Sequence, residues 1–519
     1  FCDLVGSTAL ASMLDPEDLR EILEAYRAAA AGAVAECGGY VAKYMGDGIL
    51  AYFGYPQAHE HDAEQAIRAG LALVRRVGRL QNNGTALASR VGIATGLVVV
   101  GDLIGSGEAQ ERGVVGETPN LAARLQEMAS ANAVLIAEST RRLVGDLFDY
   151  RDLGAIALKG LTEKVVAFEV IGESMIESRF EALRSAMMSP LIGRDEEVQL
   201  LMRRWTQAKR GEGQIVLVSG EAGIGKSRIA VALQERLQVE RPIRLRYFCS
   251  PNRRDSVLFP IIAQLERAAG FTRDDTPSEK CDKLAALLSQ PGNGISDLEA
   301  AFVDLLALPA SDRYPPLPSD PRERRERIFS ALVRQLEDLS RQRPVLLLFE
   351  DAHWSDSTSL DLLDRFAERI RKLRVLMIVS FRPEFEPVWA GQAQVTSVML
   401  NRLSQRETLA LAGSVAGGKS LPDEILDRII EHTDGIPLCI EELTRALLES
   451  DFLREESRQF ILSGPMPSLA VPSSLHDSLM ARLDRLGPVK EVTQVGAAIG
   501  REFTFDILKS VTSRPDDRL

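Results

Sequence analysis

A chain of 519 residues is too long for one ordinary core and is read as roughly three or four domains. Its 45% hydrophobic and 26% charged residues are those of a folded, water-soluble protein, which excludes a disordered chain. A net charge of -12 offers no general basic surface to nucleic acid or to an anionic membrane, although nucleotides can still bind at local sites.

The chain opens on Phe1-Cys2-Asp3-Leu4-Val5-Gly6-Ser7-Thr8, an acid at the end of a short β-like run before a loop of small residues. Such a loop can turn backbone N–H groups toward a polyphosphate while the carboxylate holds a divalent cation. Asp15-Pro16-Glu17-Asp18 predicts a helix start, and Leu19, Ile22, Leu23 and Tyr26 follow at helical spacing. Residues 40–45 and 49–53 read as strands joined by a tight turn at Gly46-Asp47-Gly48, with Asp47 at the tip. A second hairpin is expected from residues 91–94 and 97–100 around Thr95-Gly96. In Gly116-Glu117-Thr118-Pro119-Asn120-Leu121-Ala122-Ala123-Arg124, helical spacing puts Asn120 and Arg124 on one face, an amide beside a guanidinium. The pattern over residues 1–171 is α+β, ferredoxin-like.

Residues 172–189 are polar and read as a linker, after which Pro190-Leu191-Ile192-Gly193-Arg194 opens a new module. Its β-like runs at 215–219, 245–248, 345–349 and 375–380, separated by helical segments, predict a parallel α/β sheet over residues 190–400. Gly220-Glu221-Ala222-Gly223-Ile224-Gly225-Lys226-Ser227 follows the first strand and enters a helix, the context in which a P-loop has meaning. There Gly220, Gly223 and Gly225 let backbone N–H groups wrap phosphates, Lys226 meets the β and γ oxygens, and Ser227 ligates Mg²⁺. Residues 345–349 run into Glu350-Asp351, a buried strand ending in two acids that can hold Mg²⁺ and polarise water; which acid does which stays open. Arg382, past the next apolar strand, is placed to sense a γ-phosphate. Residues 311–327 read as an exposed loop running into a charged, solvated helix. From Leu403 the pattern is helical to the end: a helical domain over 401–471, then a winged-helix-like segment over 472–519. That last segment carries seven Lys or Arg and seven Asp or Glu, so it shows no basic footprint for DNA.

Taken singly, Asp3 or Asp47 is one acid among 74, Lys43 is a solvated lysine on an edge strand, and Asn120 with Arg124 is an ordinary helix-surface pair. Jointly, in this order and spacing, the segments resemble the class III adenylyl/guanylyl cyclases over about residues 1–171, including Leu158-Lys159-Gly160. The resemblance implies that Asp3 and Asp47 hold two Mg²⁺ or Mn²⁺ ions, with Leu4 lending a backbone carbonyl and Val5, Gly6, Ser7 and Thr8 cradling phosphates. It gives Lys43 the reading of adenine, Asn120 the ribose and Arg124 the charge of the transition state. The implied reaction converts ATP to cyclic AMP and pyrophosphate. Guanylyl cyclases typically carry glutamate where Lys43 stands, and the second purine-reading position falls on Gly113, which offers only its backbone. In that family the site lies between two cyclase domains, so a homodimer with two equivalent sites is expected.

Residues 190–515 resemble STAND-type signalling ATPases of the AAA+-like P-loop class, through Leu191-Ile192-Gly193-Arg194, Glu350-Asp351-Ala352-His353-Trp354 and Gly435-Ile436-Pro437. The resemblance implies ATP with Mg²⁺ at the P-loop, Pro437 packed near the nucleotide, and switching between ADP and ATP states. Binding without hydrolysis is the alternative, and His353-Trp354 also reads as core packing. The whole resembles bacterial cyclase–ATPase fusions and, more loosely, soluble adenylyl cyclases. Two other readings compete: a cyclase fold used as a dimerising nucleotide sensor on a signalling scaffold, and a DNA-binding regulator, which the acidic charge disfavours.

The cysteines Cys2, Cys37, Cys249, Cys281 and Cys439 form no CxxC pair, which fits a reducing cytoplasm. No apolar run approaches the roughly 18 residues that a membrane span needs, and no signal peptide opens the chain. The absence of an initial Met and the abrupt stop at Leu519 read as truncation at both ends. Protein partners are expected through helical repeats beyond Leu519.

Overall fold

The computed structural model describes residues 1–59, 61–82, 85–102, 112–157, 164–174, 190–272, 275–288, 297–309, 314–387, 389–448, 450, 453–456, 459–463 and 492–495. The chain divides into two compact units, one containing residues 1–187 and the other residues 188–467.

The strands of the first unit are β1 (Cys2–Leu4), β2 (Tyr40–Met45), β3 (Gly48–Tyr52), the short β4 (Gln81–Asn82) and β5 (Thr85–Ala86), β6 (Ser89–Ile93), β7 (Val99–Asp102), β8 (Arg112–Val115), β9 (Val134–Ala137), β10 (Phe148–Ile156) and β11 (Val165–Glu173). Its helices are α1 (Ser7–Met13), α2 (Pro16–Glu36), α3 (Asp62–Val77), α4 (Glu117–Met128) and α5 (Glu138–Val144). One seven-stranded sheet runs in the order β10-β11-β9-β6-β1-β3-β2, while β4–β5 and β7–β8 are separate pairs. Helix α2 begins at the expected place, with Asp15 at the N-cap and Glu17 and Asp18 in the first turn, although the Asp15 side chain makes no capping hydrogen bond.

Both faces of the sheet are covered, which is why β9 is apolar throughout. Val134 and Ile136 pack with Cys2, Leu4, Ile49 and Val91 beneath Tyr26 of α2 and Ile67 of α3. Leu135 and Ala137 face the other way, onto Leu125 of α4 and Ala129. Side chains alternate along a strand, so burying Cys2 and Leu4 under α2 and α3 turns Asp3 toward the face that α4 covers. Helix α4 is seated on β6 through Gly92, where a Cβ would lie 2.2 Å from the Ala122 carbonyl oxygen and 2.3 Å from the Gln126 nitrogen.

Three expectations are corrected here. The hairpin around Thr95-Gly96 does not form: β6 pairs with β1 on one side and β9 on the other, so no edge is left for the next strand. The apolar run at 97–100 instead leads into β7, which pairs with β8 and leaves Leu97 and Val99 exposed. The linker expected from residue 172 begins inside the sheet, since Gly172 is paired with Asp149 on β10. The chain beyond Leu403 is not helical throughout, for residues 453–456 and 459–462 pair as an antiparallel hairpin. Leu158-Lys159-Gly160 lies outside the described residues, as does the winged helix expected over 472–519 apart from the helical residues 492–495.

The second unit contains α6 (Asp195–Lys209), β12 (Gln214–Ser219), α7 (Lys226–Arg236), β13 (Ile243–Phe248), α8 (Phe259–Ala269), α9 (Pro277–Leu288), α10 (Asp297–Leu305), α11 (Pro321–Gln342), β14 (Val345–Glu350), α12 (Ser357–Ile370), β15 (Val375–Phe381), β16 (Val395–Met399), α13 (Gln405–Val415), α14 (Asp423–Thr433), α15 (Pro437–Leu448), β17 (Leu453–Glu456) and β18 (Gln459–Leu462). Its five-stranded sheet runs β13-β14-β15-β12-β16, every pairing parallel. The edge strand β16 has no counterpart among the expected strands. Along β14, Val345, Leu347 and Phe349 pack on one face, and Leu346 and Leu348 on the other, with Ile229, Ala230 and Leu233 of α7. The same alternation aims Glu350 toward α7 and the P-loop.

The seat of α4 on β6 gives a direct test. Gly92→Ala should push α4 off the sheet and cost about 1–3 kcal/mol, the usual penalty of overpacking. Chemical denaturation would measure it, and unchanged stability would show that the close contact is not required.

Candidate functional site

Asp3 and Asp47 meet because of strand pairing. Cys2 pairs with Ile49 on β3, so the turn that carries Asp47, between β2 and β3, lies alongside β1. Burial pushes the Asp3 carboxyl above its ordinary range, and the charges of Asp47 and Glu127 push the same way; Gln126 and the guanidinium of Arg90 pull it down. Arg90 is the register partner of Asp3 on β6. Although Gln126 is close enough to act, neither Asp3 Oδ1 nor Gln126 Nε2, both buried, completes a hydrogen bond.

The other expected residues point elsewhere. Lys43 is exposed on β2, the outermost strand, opposite Leu50. Asn120 is exposed near the start of α4, while Ala122 and Leu125 of the same helix are buried. Arg124 is half-exposed and held by its own helix, with Nη1 donating to Glu127 Oε1 at 2.8 Å and Oε2 at 2.9 Å. The charges acting most strongly on Asp3 are Arg90, Asp47 and Glu127, not Lys43 or Arg124. Within one protomer the charge of Asp47 reaches Asp3, while Lys43 and Asn120 are exposed and Arg124 is engaged by Glu127. Val5 donates to the Ala88 carbonyl at 2.8 Å and Gly6 sits at φ +75°, so the loop before Ser7 and Thr8 turns sharply into α1. Leu4 is buried opposite Ser89. Gly113 pairs with Gly101 on the β7–β8 ribbon.

Asp3 and Asp47 fit a divalent cation. Among the described residues no group of three or more His, Cys, Asp or Glu side chains gathers round one point. Two acids with an unsatisfied buried oxygen are nevertheless the donor set that Mg²⁺ uses when substrate phosphates and water complete its shell.

In the second unit the P-loop wraps the start of α7, and Gly225 caps that helix at φ +105°. Lys226 Nζ donates to the carbonyls of Gly220 and Glu221, both at 2.9 Å. Glu350 is buried, and burial raises its carboxyl pKa while Arg246 and the Ser227 hydroxyl lower it. Arg246 Nη2 donates to Glu350 Oε1 at 3.1 Å from the neighbouring strand β13. Asp351 takes a left-handed backbone at φ +58° and its N–H donates to Ser380 Oγ at 3.1 Å. Arg382 is buried at the end of β15, its guanidinium 5.7 Å from the Trp354 ring, which packs 4.9 Å from His353.

Pro437 begins α15, and the next residue touches the P-loop: Leu438 N–H donates to the Gly223 carbonyl at 3.2 Å. Arg402 Nη2 donates to Glu221 Oε1 of the same loop at 2.9 Å while Nη1 pairs with Asp434. Buried Arg194 donates to the carbonyls of Asn401 at 2.5 Å and Ile224 at 3.3 Å. Reading the sequence missed Arg246, Arg402, Gln126 and Glu127. For Arg246 the signal existed, because an arginine inside a buried parallel strand requires a partner.

Comparison with known proteins gives a family match for each part of the chain. Residues 1–172 match the family described as adenylate and guanylate cyclase catalytic domain, and residues 190–379 match the AAA ATPase domain. An uncharacterized protein of Rhizobium meliloti (strain 1021) is 33% identical over 519 residues, which cover 98% of this chain and 49% of that protein. Adenylate cyclase 1 of the same organism is 28% identical over 179 residues, covering 33% of this chain and 27% of its own length. Among solved structures, the adenylyl cyclase CyaB from P. aeruginosa is 29% identical over 33% of this chain and 92% of that one, with a TM-score of 0.31. The chain spans about half the length of the first of these relatives and a smaller share of the second. Residues 1–172 therefore belong to the adenylate and guanylate cyclase catalytic domains, and residues 190–379 of the same chain to the AAA ATPase domains.

Proposed function

We propose that the first unit is an adenylyl cyclase that acts as a homodimer and that the second is a STAND-type ATPase switch governing it. The observation that carries the first part is the meeting of Asp3 and Asp47 around a buried, unsatisfied oxygen. Lys43, Asn120 and Arg124 lie on outward surfaces of the same protomer. A site assembled from one protomer's acids and its partner's lysine, amide and guanidinium accounts for both facts. Exposed Tyr44, Met45, Leu97 and Val99 supply apolar area for such a contact.

In this reading the ribose 3′-oxygen attacks the α-phosphorus, the bond to the bridging oxygen breaks, pyrophosphate leaves, and the hydroxyl proton passes to water. The chemistry supplied by bound Mg²⁺ or Mn²⁺ at Asp3 and Asp47 is positive charge that acidifies the hydroxyl and neutralises the leaving phosphates. Asn120 orients the ribose. Arg124 exchanges Glu127 for the α-phosphate, where its charge is worth most as the transition state forms. Lys43 accepts the adenine base by donating to its ring acceptors, and Gly113 leaves the second purine contact to backbone, so ATP is preferred over GTP.

At the P-loop, Lys226 exchanges two carbonyls for phosphate oxygens. Ser227 and Glu350 hold Mg²⁺, which leaves Asp351 to orient water. The contacts of Leu438 with Gly223 and of Arg402 with Glu221 give the nucleotide state a mechanical route to the segment around Pro437.

Purified chain given ATP and Mn²⁺ should form cyclic AMP, GTP should be a poor substrate, and Asp47→Ala should reduce the rate to background. A wild-type dimer that binds ATP and makes no cyclic nucleotide sinks the proposal. Lys226→Ala should change the rate of cyclic AMP formation without touching the cyclase acids; an identical rate at saturating ATP would separate the two units functionally.

Asp3 gives a stability test. Because its folded pKa lies above the ordinary 3.8, keeping it ionised costs stability; the cost is full above the raised pKa and vanishes below the ordinary one. Asp3→Asn should therefore melt higher than wild type at neutral pH without metal, and lose the rise in melting temperature that Mn²⁺ gives wild type. A lower melting temperature in metal-free buffer would show that the carboxylate is already satisfied.

A further inference from the structure

Asp47 has weak local support. It lies at the tip of a hairpin whose strand β2 is the last in the sheet, and the β2–β3 register shifts between Val41 and Lys43. Gly46, just before it, sits at φ +67° with no atom within 4 Å of where a Cβ would be, so side-chain packing does not hold the turn. A metal ligand so placed would swing with the turn unless something fixes the backbone.

Helix α2 supplies the fixing group. Arg27 Nη2 donates to the Gly46 carbonyl oxygen at 2.7 Å, and its guanidinium carbon lies 5.6 Å from the centre of the Tyr44 ring. The turn is gripped at two points, on the strand entering it and on the peptide unit that joins Gly46 to Asp47. Fixing the plane of that peptide fixes the positions of the Asp47 nitrogen and Cα, and so the point from which its side chain starts. Arg27 keeps this contact although its Nε is buried without a partner, a cost that marks a group retained for its other contacts. The neighbouring Tyr26 is fully buried and its hydroxyl meets Cys2 Sγ at 3.5 Å, beside Asp3. Consecutive residues of one helix therefore contact the turn that carries Asp47 and the strand that carries Asp3.

We propose that Arg27 is a positioning residue for the cation site: by holding the Gly46 carbonyl it orders the turn that presents Asp47 alongside Asp3. This rests on the reading of Asp3 and Asp47 as metal ligands. The grip is on backbone, so the guanidinium orders the turn and leaves the Asp47 carboxylate for the metal. Partners that orient metal ligands typically contribute about 10- to 100-fold in affinity.

The test uses the full chain carrying Lys226→Ala, so that the P-loop adds no nucleotide-bound metal of its own, with Mn²⁺ and a non-cleavable ATP analogue, bound Mn²⁺ being read by electron paramagnetic resonance beside the Mn²⁺ dependence of cyclic AMP formation. Arg27→Met should weaken Mn²⁺ binding about 10-fold or more and shift the activation curve to higher metal, with most of the maximal rate recovered at saturation. Arg27→Lys, which can still reach the carbonyl, should recover part of the affinity. Tyr44→Leu, which removes only the ring beside the guanidinium, should weaken binding about two- to fivefold and decides the matter if Arg27→Met does not fold. A wild-type Mn²⁺ titration in Arg27→Met, or in Tyr44→Leu where that variant must decide, overturns the proposal. Asp47→Asn separates this from the parent reading: if it too binds Mn²⁺ like wild type, Asp47 is not a ligand and both fall; if it loses Mn²⁺ while Arg27→Met does not, only the role of Arg27 falls.

Discussion

The burial of Cys2 and Leu4 beneath α2 and α3 is the constraint from which the cyclase site follows. A strand with both neighbours buried on one face must send the residue between them to the other face. That face is closed by α4, which approaches the sheet so nearly at Gly92 that no side chain fits. Asp3 is therefore driven into a confined space with Gln126, Arg90 and the charge of Glu127. The fold creates an expensive carboxylate because its hydrophobic packing leaves that side chain no other direction.

The second unit reaches a similar outcome by a parallel route. Alternation along β14 sends Leu346 and Leu348 toward α7, and the strand ends with Glu350 on that same side, next to Lys226 and Ser227. Parallel strands all present their carboxyl ends to one edge of the sheet, so the P-loop after β12, the acids after β14 and Arg382 after β15 converge there. Arg246 is the feature that distinguishes this site from the first. It gives Glu350 Oε1 a hydrogen-bonded counter-charge at 3.1 Å, where Asp3 has only the charge of Arg90 nearby; Glu350 Oε2, like Asp3 Oδ1, is buried without a hydrogen bond. The P-loop is also fastened from behind, by Arg194 on the carbonyl of Ile224 and by Leu438 on that of Gly223. Movement of the loop is therefore felt at Asn401 and at the start of α15.

How much of this was legible in the sequence depends on how local each interaction is. The P-loop, the strand ending in Glu350 and the helix start at Asp15 are contiguous signals, and their elements lie where expected. The hairpin at Thr95-Gly96 failed because β-like residues on either side of a glycine do not reveal which edge each strand will use; β1 and β9 had already taken both edges of β6. Arg124 and Glu127 stand three apart on one helix, so their pairing is legible from spacing alone. Arg27 on Gly46 joins residues 19 apart, and Arg402 on Glu221 joins residues 181 apart, so neither could be read from spacing. Backbone carbonyls carry no sequence identity. Contacts made to them are invisible until the fold is known.

Asp3 and Glu350 share one energetic property that bears on regulation. Both are raised by burial, so both cost stability when ionised and without a cation. A cation that binds only the folded chain stabilises it in proportion to the logarithm of its concentration over its dissociation constant. A cation held at either carboxylate would therefore stabilise the unit that binds it. The P-loop is bonded to Leu438 and Arg402, so a ligand that steadied the loop would also steady the segment that surrounds Pro437. A nucleotide that contacts Lys226 and Ser227 but lacks a γ-phosphate would order the loop to a different extent from one that has it. The difference between those two binding energies would set the upper limit on how far nucleotide at this loop could shift any equilibrium coupled to it.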